Sequence, residues 1–557
     1  MRSKLMKKAI AIIMAVTMLM SATILTVSAT HPEEMGYIPV RTFFEEITGT
    51  VTWQQEERSI HIQLGEDKII LHTLKPMATI NGVDTPLQDG IRMWQNTAFI
   101  SARDIIIIFT GTEPPEDEEN EDRDFADIAA NFMLKFATGD MPGMMNMLIP
   151  ELQAQQEEIF GILSFMHQMA MIQMGTFHDW EKTGYDEVDD MLVFEFAVNT
   201  DIGRASYMVA VTGQGEIAEF LDLGFQFIPA TVDENAEFYV HPVVIGGGTP
   251  WPLEGLLTMP NTASADNPVP AVVLVHGSGP QNMDSSVFGN RPFNDIANFL
   301  SSNDIAVLRY NKRTFTHGAA LVQAYNSNYF TVQQESIEDA LLAAKMLKDD
   351  PRVSRVYVLG LSLGGTLAPI IAEEGELDGA ILMAAFARPM YEISFDQNIQ
   401  AINDAIAAGL MSQEEADEWF TQLDAMLTEA RTLPDLATEE MQRYGNGLPL
   451  AWLIFGQPAI YQRSVIDALP IPVISRNTIP TLILHGSRDW QVSTESDFQR
   501  FVDYVGEYDH VTARLYDNIN HLFMQSQTEY NDLRDYMPPG RVDEDVLRGI
   551  VDWINSN

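Results

Sequence analysis

Cysteine is absent from the 557-residue chain, which excludes disulfide bonds, thiolate metal ligands and a cysteine nucleophile. Basic residues are also scarce. The chain has 33 lysines and arginines against 79 aspartates and glutamates, so its formal net charge is -46. A surface of this sign repels the phosphate backbone, and we expect no nucleic-acid partner. The simplest interpretation of the acidity is solubility, and the alternative is attraction of cationic substrates or wall polymers.

Long apolar runs are missing after the N-terminus, so we expect no later transmembrane span. The N-terminus itself has four basic residues between positions 2 and 8, an apolar stretch over 9–20 interrupted only by Thr17, and the small-residue sequence Val27-Ser28-Ala29. This order is typical of a secretory signal peptide at 1–29. We therefore expect a secreted protein, extracellular or associated with the cell wall. The alternative, an uncleaved membrane anchor, is disfavoured by the short apolar stretch.

The length of the chain predicts several domains, of which the first covers residues 30–110. There a short helix pattern precedes segments of period-two alternation, with the hairpin signal Asn81-Gly82 between two of them. Residues Ile38–Arg41, Val51–Trp53 and Ile80–Gly82 resemble the copper-amine-oxidase N-terminal-like stalk domain of secreted bacterial proteins. The resemblance implies a β-rich spacer or a module near the cell wall, without chemistry of its own.

No metal cluster is expected in this first domain, because His61 and His72 are isolated within strand patterns. Residues 111–124, with the sequence GTEPPEDEENEDRD, contain eight acidic residues, two prolines and no apolar side chain. Such a composition is typical of a solvated linker.

Residues 125–230 are predicted to form a second small domain of α+β type. A helix pattern over 125–140 precedes a methionine-rich stretch over 141–174, and three alternating segments then predict antiparallel strands. This arrangement resembles the cystatin-like cone domain. The methionines are interpreted as packing residues rather than metal ligands. Four aspartates without metal-ligand spacing are expected on loops: Asp179, Asp186, Asp189 and Asp190.

From residue 235 to 557, short apolar runs alternate with helical patterns, which predicts the α/β class with a parallel sheet covered by helices. Six strands are expected, at 270–277, 304–310, 355–360, 379–385, 480–486 and 513–517. A helix is predicted over 336–348. Residues 388–478 interrupt the alternation, and Ser412 and Glu415 there form a capping-box pattern before an apolar helix face. We expect a helical lid insertion over 388–478.

The strand at 355–360 runs into the sequence Gly360-Leu-Ser362-Leu-Gly364-Gly365, and a helix pattern of small residues follows. A G-x-S-x-G sequence between a strand and a helix is typical of a nucleophile elbow, a tight turn that lifts a serine hydroxyl above the sheet. The glycines allow the helix to pack closely on the strand. Ser362 is therefore the candidate nucleophile, and it requires a base at neutral pH.

The acid and the base are expected after the serine, in the order Asp then His. Asp489 follows the strand at 480–486, and His521 follows the last strand. Asp489 is thus predicted to orient His521, and His521 to accept the proton of Ser362. Four other histidines fit this role less well because of their positions relative to the strands: His276, His317, His485 and His510. Of these, His317 is expected on a loop, where it could line the pocket.

An acyl-transfer intermediate needs two backbone N–H donors for its oxyanion. One is expected from Leu363, directly after Ser362, and the other from Ser278 in the loop His276–Pro280. Two alternatives for this loop are weaker. It lacks the GK[ST] sequence of a phosphate-binding loop, and the Ser278 hydroxyl lacks an elbow that would make it a nucleophile. We expect neither a cofactor nor a metal ion.

Together these features resemble the secreted bacterial α/β-hydrolases of the serine aminopeptidase and dienelactone hydrolase branches. The resemblance covers about 235–557 and also includes Leu253–Leu257 and Leu308–Arg313. It implies an α/β-hydrolase fold with esterase or acyl-hydrolase activity, preceded by two small N-terminal domains. Asn311 and Asn520 depart from the pattern, where Asp and Gly are expected, and this concerns substrate details rather than the class of chemistry.

Three functions are open at this point. The first is hydrolysis of a small carboxylic ester through an acyl-enzyme. The second is a peptidase that uses the same three residues and holds the terminus of a short peptide with fixed charges. The candidates for these charges are Glu254, Arg309, Lys312, Arg313 and the acidic residues of the lid. The third is a wall-associated binding protein whose hydrolase fold is inactive.

Overall fold

The computed structural model describes residues 37–39, most of 50–101, 125–188, 191–230, 236–325, 330–407, 411–432, 453–454 and 457–557. The predicted signal peptide at 1–29 and the predicted linker at 111–124 lie outside these residues. Among the helices that are described, none is both long and apolar enough to cross a membrane.

The first region is β-rich, as its alternation predicts. Its strands are β1 (Tyr37–Pro39), β2 (Thr50–Gln54), β3 (Ser59–Leu64), β4 (Asp67–His72), β5 (Met77–Ile80), β6 (Val83–Pro86), β7 (Arg92–Trp94) and β8 (Thr97–Ser101). Strands β2 to β6 form an antiparallel meander, and β1, β8 and β7 form a separate sheet. The predicted hairpin joins β5 to β6 at Asn81, whose φ of 53° is the left-handed conformation that such a turn requires.

The second region packs helices against a four-stranded antiparallel sheet. Its elements are α1 (Phe125–Thr138), α2 (Met141–Met145), α3 (Pro150–Gln153), α4 (Gln156–Met174), β9 (Phe177–Val188), β10 (Met191–Thr200), β11 (Gly203–Thr212) and β12 (Ile217–Phe227). Phe132 and Phe136 of α1 are buried, and the Phe136 ring meets Tyr207 of the sheet edge to face at 5.4 Å. Met141 and Met144 are buried in the same core, so they act as packing residues.

One expectation for this region is wrong, because Asp179 and Asp186 lie in strand β9 rather than on loops. Strand β9 is at the edge of its sheet, and most of its side chains are exposed. A strand of this kind lacks the alternation of apolar residues by which strands are predicted. Asp189 and Asp190 lie outside the described residues.

A mixed eight-stranded sheet forms the centre of the third region. The strands of this region are β13 (Phe238–Ile245), β14 (Leu253–Pro260), β15 (Val269–Val275), β16 (Ala306–Tyr310), β17 (Val353–Leu361), β18 (Gly379–Met383), β19 (Leu453–Ile454), β20 (Gln457–Pro458), β21 (Thr481–Gly486) and β22 (Val511–Tyr516). The order in the sheet is β13-β14-β16-β15-β17-β18-β21-β22. The six predicted strands are parallel, and β13 and β14 extend them with antiparallel pairing.

Helices cover both faces of this sheet. The helices of the region are α5 (Pro292–Ser301), α6 (Arg313–Tyr325), α7 (Glu338–Lys348), α8 (Leu363–Glu374), α9 (Met390–Ala407), α10 (Gln413–Thr432), α11 (Ala459–Asp467), α12 (Pro470–Arg476), α13 (Gln499–Val505) and α14 (Glu544–Ser556). On one face, α7 and α8 pack on alternate side chains such as Val273. On the other face, α5 and α14 pack on the residues between them, such as Val272. A sheet buried on both faces explains the continuous apolar runs of its strands.

The predicted insertion at 388–478 contains helices α9 to α12. The capping box is formed: Ser412 Oγ accepts the N–H of Glu415 over 3.3 Å, and the Glu415 carboxylate accepts the N–H of Ser412 over 3.0 Å. Helix α10 buries Leu423 and Leu427 in a small core of its own with residues of α9, among them Ile402.

Helix α8 approaches β15 and β17 at a distance that only glycine permits. A Cβ atom on Gly364 would lie 2.2 Å from the carbonyl oxygen of Val275 and 2.6 Å from that of His276. A Cβ atom on Gly360 would lie 2.1 Å from the backbone of Gly364. The atoms in the way are backbone atoms at the end of β15 and in the first turn of α8, which cannot move without disturbing the sheet or the helix.

We therefore expect Gly364→Ala to lower the free energy of unfolding by about 1–3 kcal/mol or more, as overpacked cores do. The matched control is Gly318→Ala in α6, where a Cβ atom would meet nothing within 4 Å. This control is expected to be neutral or slightly stabilising, because alanine favours helices more than glycine does. Urea denaturation measures both variants, and equal midpoints would contradict the packing argument.

Candidate active site

The order of the strands creates a crevice at the centre of the sheet. The chain passes from β15 to β16 on one side, whereas it passes from β17 to β18 on the other, and β15 and β17 are parallel neighbours. Such a reversal leaves a crevice at the carboxyl ends of the two strands, where open α/β sheets bind ligands. The loop after β15 contains Gly277 and Ser278, and the turn after β17 contains Ser362. The fold thus brings the predicted oxyanion loop next to the predicted nucleophile elbow.

Ser362 occupies a strained turn between β17 and α8. Its φ of 57° and ψ of -119° are uncommon for a residue with a side chain. The N–H of Ser362 donates to the carbonyl of Met383 in β18 over 2.8 Å, and its own carbonyl accepts the N–H of Thr366 over 3.0 Å. These bonds and the close glycine packing hold the conformation, which is that of a nucleophile elbow.

Asp489 and His521 follow the carboxyl ends of β21 and β22, and their buried side chains are hydrogen bonded. The Nδ1 of His521 donates to Oδ2 of Asp489 over 2.8 Å. The Oδ1 of Asp489 accepts the N–H groups of Gln491 and Val492, each over 2.9 Å. Burial alone would raise the pKa of Asp489, but His521 and these hydrogen bonds outweigh it and hold the pKa below its ordinary value. The carboxylate is therefore charged, and it fixes the orientation of the imidazole.

Asn520 builds the loop that carries His521. Its Oδ1 accepts the N–H groups of Leu522 and Met524, each over 3.1 Å, and its Nδ2 donates to the Asp535 carboxylate over 3.1 Å. The position where the family resemblance leads one to expect glycine thus holds a side chain that shapes the turn. Sequence interpretation placed Asn520 outside the catalytic machinery. The tendency of Asn to bond the backbone two residues on is the signal that could have found this role.

The histidine expected to line the pocket lies elsewhere. His317 belongs to helix α6 rather than to a loop, and its Nε2 is 2.8 Å from the carbonyl oxygen of Pro252. It is not among the residues that line the cavity beside Ser362. The loop expectation is wrong because the adjacent Gly318, a usual turn residue, lies within the helix.

The other two histidines at or near the last strands are held by backbone carbonyls. His485, in β21, has its Nε2 3.1 Å from the carbonyl oxygen of Val492 and 3.8 Å from Asp489 Oδ2. Burial lowers the pKa of His485 and keeps the ring neutral. His510 precedes β22, where its Nε2 is 3.3 Å from the carbonyl oxygen of Ile474.

A cavity of about 100 Å³ contains Ser362 and His521 in its wall. The lining comes from the loops at the strand ends, from α9 of the insertion and from the second region: Ile172, Gly277, Ser278, Gln281, Ser285, Val287, Leu361, Ser362, Phe386, Met390, Ile393, Ser394, Gln397, Gln491, Val492, His521, Leu522, Leu533 and Tyr536. Among the described residues, the lining contains no carboxylate, ammonium or guanidinium group. The cavity is therefore suited to an uncharged group.

The loop expected to supply an oxyanion donor is held on both sides of Ser278. The Nζ of Lys312 donates to the carbonyl of Gly277 over 2.7 Å, and the Nε2 of Gln281 donates to the carbonyl of Ser278 over 3.0 Å. Because the Gly277 carbonyl and the Ser278 N–H belong to one peptide unit, Lys312 sets the direction of that N–H. Leu363 is the first residue of α8, where an N–H has no acceptor within the helix.

None of the four numbered residues considered as anchors for a peptide terminus lines the cavity. The three basic residues are buried and paired with carboxylates: Arg309 with Asp284 at 2.9 Å, Lys312 with Glu335 at 3.0 Å and Arg313 with Asp339 at 2.6 Å. The Glu254 side chain is exposed. These cations therefore stabilise the loops around the cavity, and sequence interpretation missed this positioning role because the partners are distant in sequence.

The crevice at the strand reversal, the elbow serine and the buried histidine–aspartate pair define the α/β-hydrolase fold. Comparisons with known proteins agree. The model described as "Alpha/beta hydrolase family" matches residues 272–533, and the "Copper amine oxidase N-terminal domain" matches residues 22–117. The chain is 35% identical over 384 residues to Esterase EstD of Thermotoga maritima, which is 67% of this chain and 82% of that protein. The chain therefore belongs to the α/β-hydrolase family, and it is a hydrolase.

Solved structures are also similar to the chain. Est1E from Butyrivibrio proteoclasticus is 16% identical, with a TM-score of 0.34, over 56% of this chain and 99% of Est1E. An acylaminoacyl peptidase of Pyrococcus horikoshii is 13% identical, with a TM-score of 0.36, over 68% of this chain and 50% of the peptidase.

His276 next to the oxyanion loop makes stability depend on pH. Its ring is buried between Phe293 and Tyr310, and its pKa is lowered to about 3, first by burial and then by the charge of Lys312. In the unfolded chain, histidine titrates near 6.5. As the pH falls below 6.5, His276 therefore becomes protonated in the unfolded state but stays neutral in the folded state. The stability that neutral His276 contributes is present above pH 6.5 and is lost as the pH falls towards 3.

We expect His276→Gln to make the free energy of unfolding fall less steeply between about pH 6.5 and 4, by at most ~1.4 kcal/mol per pH unit. The exposed His241 provides the control, and His241→Gln should leave the slope unchanged. Chemical denaturation at a series of pH values measures the slopes. The same slope in His276→Gln and in the wild type would contradict the assignment.

Proposed function

We propose that the protein is a secreted serine hydrolase that cleaves small carboxylic esters through an acyl-enzyme on Ser362. In this proposal His521 is the general base and Asp489 orients it. The observation that carries the proposal is an elbow serine and a hydrogen-bonded His–Asp pair at one cavity, whose described lining residues include no Asp, Glu, Lys or Arg. The similarity to Esterase EstD supports the same reaction.

Acylation begins when Ser362 Oγ attacks the ester carbonyl while Nε2 of His521 accepts its proton. Asp489 stabilises the imidazolium, since its low pKa keeps the carboxylate charged. The negative charge on the former carbonyl oxygen is stabilised by the N–H groups of Ser278 and Leu363. The imidazolium then protonates the alcohol, which leaves.

Deacylation repeats these steps with water as the nucleophile. His521 accepts a proton from water, and the hydroxide attacks the acyl group on Ser362. The tetrahedral intermediate uses the same two N–H groups, and its collapse releases the carboxylic acid and restores the serine hydroxyl.

The uncharged cavity favours an ester over a peptide with a free terminus. A site that holds an ammonium or carboxylate terminus needs an opposite charge, because an unpaired charge is costly to remove from water. The basic residues near the cavity already have carboxylate partners. A peptidase therefore remains the second candidate, and an inactive wall-binding protein is the third.

We also propose that the protein is exported and acts outside the cell, where its N-terminal module associates with the wall. The support is the signal-peptide pattern at 1–29 and the match of residues 22–117 to a copper-amine-oxidase N-terminal domain. Fractionation of the producing cell tests this. Full-length protein confined to the cytoplasm would contradict it.

Ser362→Ala is expected to lower kcat by several orders of magnitude, since removing the serine of a serine protease triad lowers kcat about 10⁶-fold. The matched control is Ser278→Ala, which keeps the backbone N–H and should retain most of the activity. A fluorophosphonate should label Ser362 in the wild type, as located by mass spectrometry. A label on Ser278 would contradict the assignment, and an unlabelled wild type would favour the inactive binding protein.

Esters should be hydrolysed with a much higher kcat/KM than amides of the same acyl group. A free α-amino group on an aminoacyl ester should give no advantage over its N-acetylated form, because no carboxylate is found among the lining residues that the structure describes. The kinetics of p-nitrophenyl esters, p-nitroanilides and this pair of aminoacyl esters decide the matter. Preference for the free amine, together with rapid amide cleavage, would indicate the peptidase.

A further inference from the structure

The second region enters the cavity that contains Ser362. Ile172 lies in the last turn of α4, lines that cavity and is only 4% exposed. It belongs to one apolar cluster with Leu522, Leu533 and Tyr536 of the third region. Leu522 directly follows His521, so the side chain from the second region packs beside the proposed base.

The backbone of α4 is tied to the loop that follows β15. The carbonyl of Ile172 accepts the N–H of Phe288 over 3.0 Å. The carbonyls in the last turn of a helix receive no hydrogen bond from an N–H within the helix. The carbonyl of Ile172 is therefore free to accept the N–H of Phe288. The loop is strained there, since φ is 53° at Ser285 and 49° at Phe288, and Val287 between them lines the cavity. Strained backbone persists where its surroundings hold it.

Arg291 connects the two regions beside this loop. Its guanidinium donates to the carbonyls of Asp201, over 2.9 Å, and Ile228, over 3.0 Å, and it pairs with the buried Asp284 at 3.2 Å. The Asp201 carboxylate accepts the N–H of Thr176, just after α4, over 2.6 Å. A continuous set of polar contacts therefore runs from the core of the third region to the end of α4.

We propose that Ile172 is a specificity-determining residue, through which the second region limits the size of the ester that reaches Ser362. This inference rests on the proposed ester hydrolysis. The cavity of about 100 Å³ is smaller than the roughly 150 Å³ of an apolar protein cavity that holds benzene. A short acyl or alcohol group of an ester fits such a space while the rest of the ester lies outside it, and each methylene added to that group presses on a wall that includes Ile172.

The test changes the wall in both directions. Ile172→Ala removes three carbons, and Ile172→Phe adds bulk. Two series of substrates vary the ester: p-nitrophenyl esters of rising acyl length and acetates of rising alcohol size. In at least one series, the ratio of kcat/KM for the larger to the smaller substrate should rise about tenfold or more in Ile172→Ala and fall in Ile172→Phe, since one methylene in an apolar pocket changes kcat/KM about 10–200-fold. A variant that had only lost stability would show a lower kcat/KM for both substrates, and the ratio would stay the same.

Ile162→Ala is the matched control, because Ile162 lies on the same helix but is 42% exposed. It should leave both ratios unchanged. Ile172→Val provides a milder change if thermal unfolding shows that the alanine variant does not fold. Unchanged ratios in the Ile172 variants of an active esterase would overturn the role of Ile172 and leave the proposed function intact. A wild type that hydrolyses no ester would overturn both.

Discussion

The close approach of helix α8 to strands β15 and β17 is the constraint on which the candidate site depends. Gly364 lies against the carbonyls of Val275 and His276, so the helix N-terminus sits directly over the ends of the central strands. Only at this distance does the turn between β17 and α8 become sharp enough to force Ser362 into its left-handed conformation. The same approach brings the first N–H of α8 next to the loop after β15. The candidate nucleophile and the proposed oxyanion donors are thus positioned by one packing contact.

A second level of positioning comes from buried ion pairs. Lys312 pairs with Glu335 and also bonds the Gly277 carbonyl, and Glu335 accepts the hydroxyl of Tyr461 in α11. The oxyanion loop and the helical insertion therefore share one buried polar network. Removing one member of such a network leaves a buried charge without its partner, which is more damaging than the net worth of the pair. The loop conformation and the position of the insertion are consequently linked.

Sequence patterns predict those parts of the site that depend on local order. The parallel strands, the elbow and the order of Ser362, Asp489 and His521 follow from apolar runs and the residues at their ends. Strand β9 could not be predicted in this way, because an exposed edge strand has no apolar alternation. Nor could the place of Ile172, since nothing near it in sequence refers to Leu522, 350 residues further on. Contacts between regions leave little local trace.

The distribution of charge supports the proposal that the shape of the cavity selects the substrate. The chain has a net charge of -46, yet the described residues that line the cavity include no carboxylate, lysine or arginine side chain. The buried basic residues beside it are matched with buried carboxylates, so they cancel locally and cannot attract a charged ligand. The electric field of the acidic surface passes mainly through solvent, where salt at 0.1 M screens it beyond about 10 Å. Under the proposed ester hydrolysis, we therefore expect discrimination between neutral esters to depend on the walls of the cavity, to which the second region contributes Ile172.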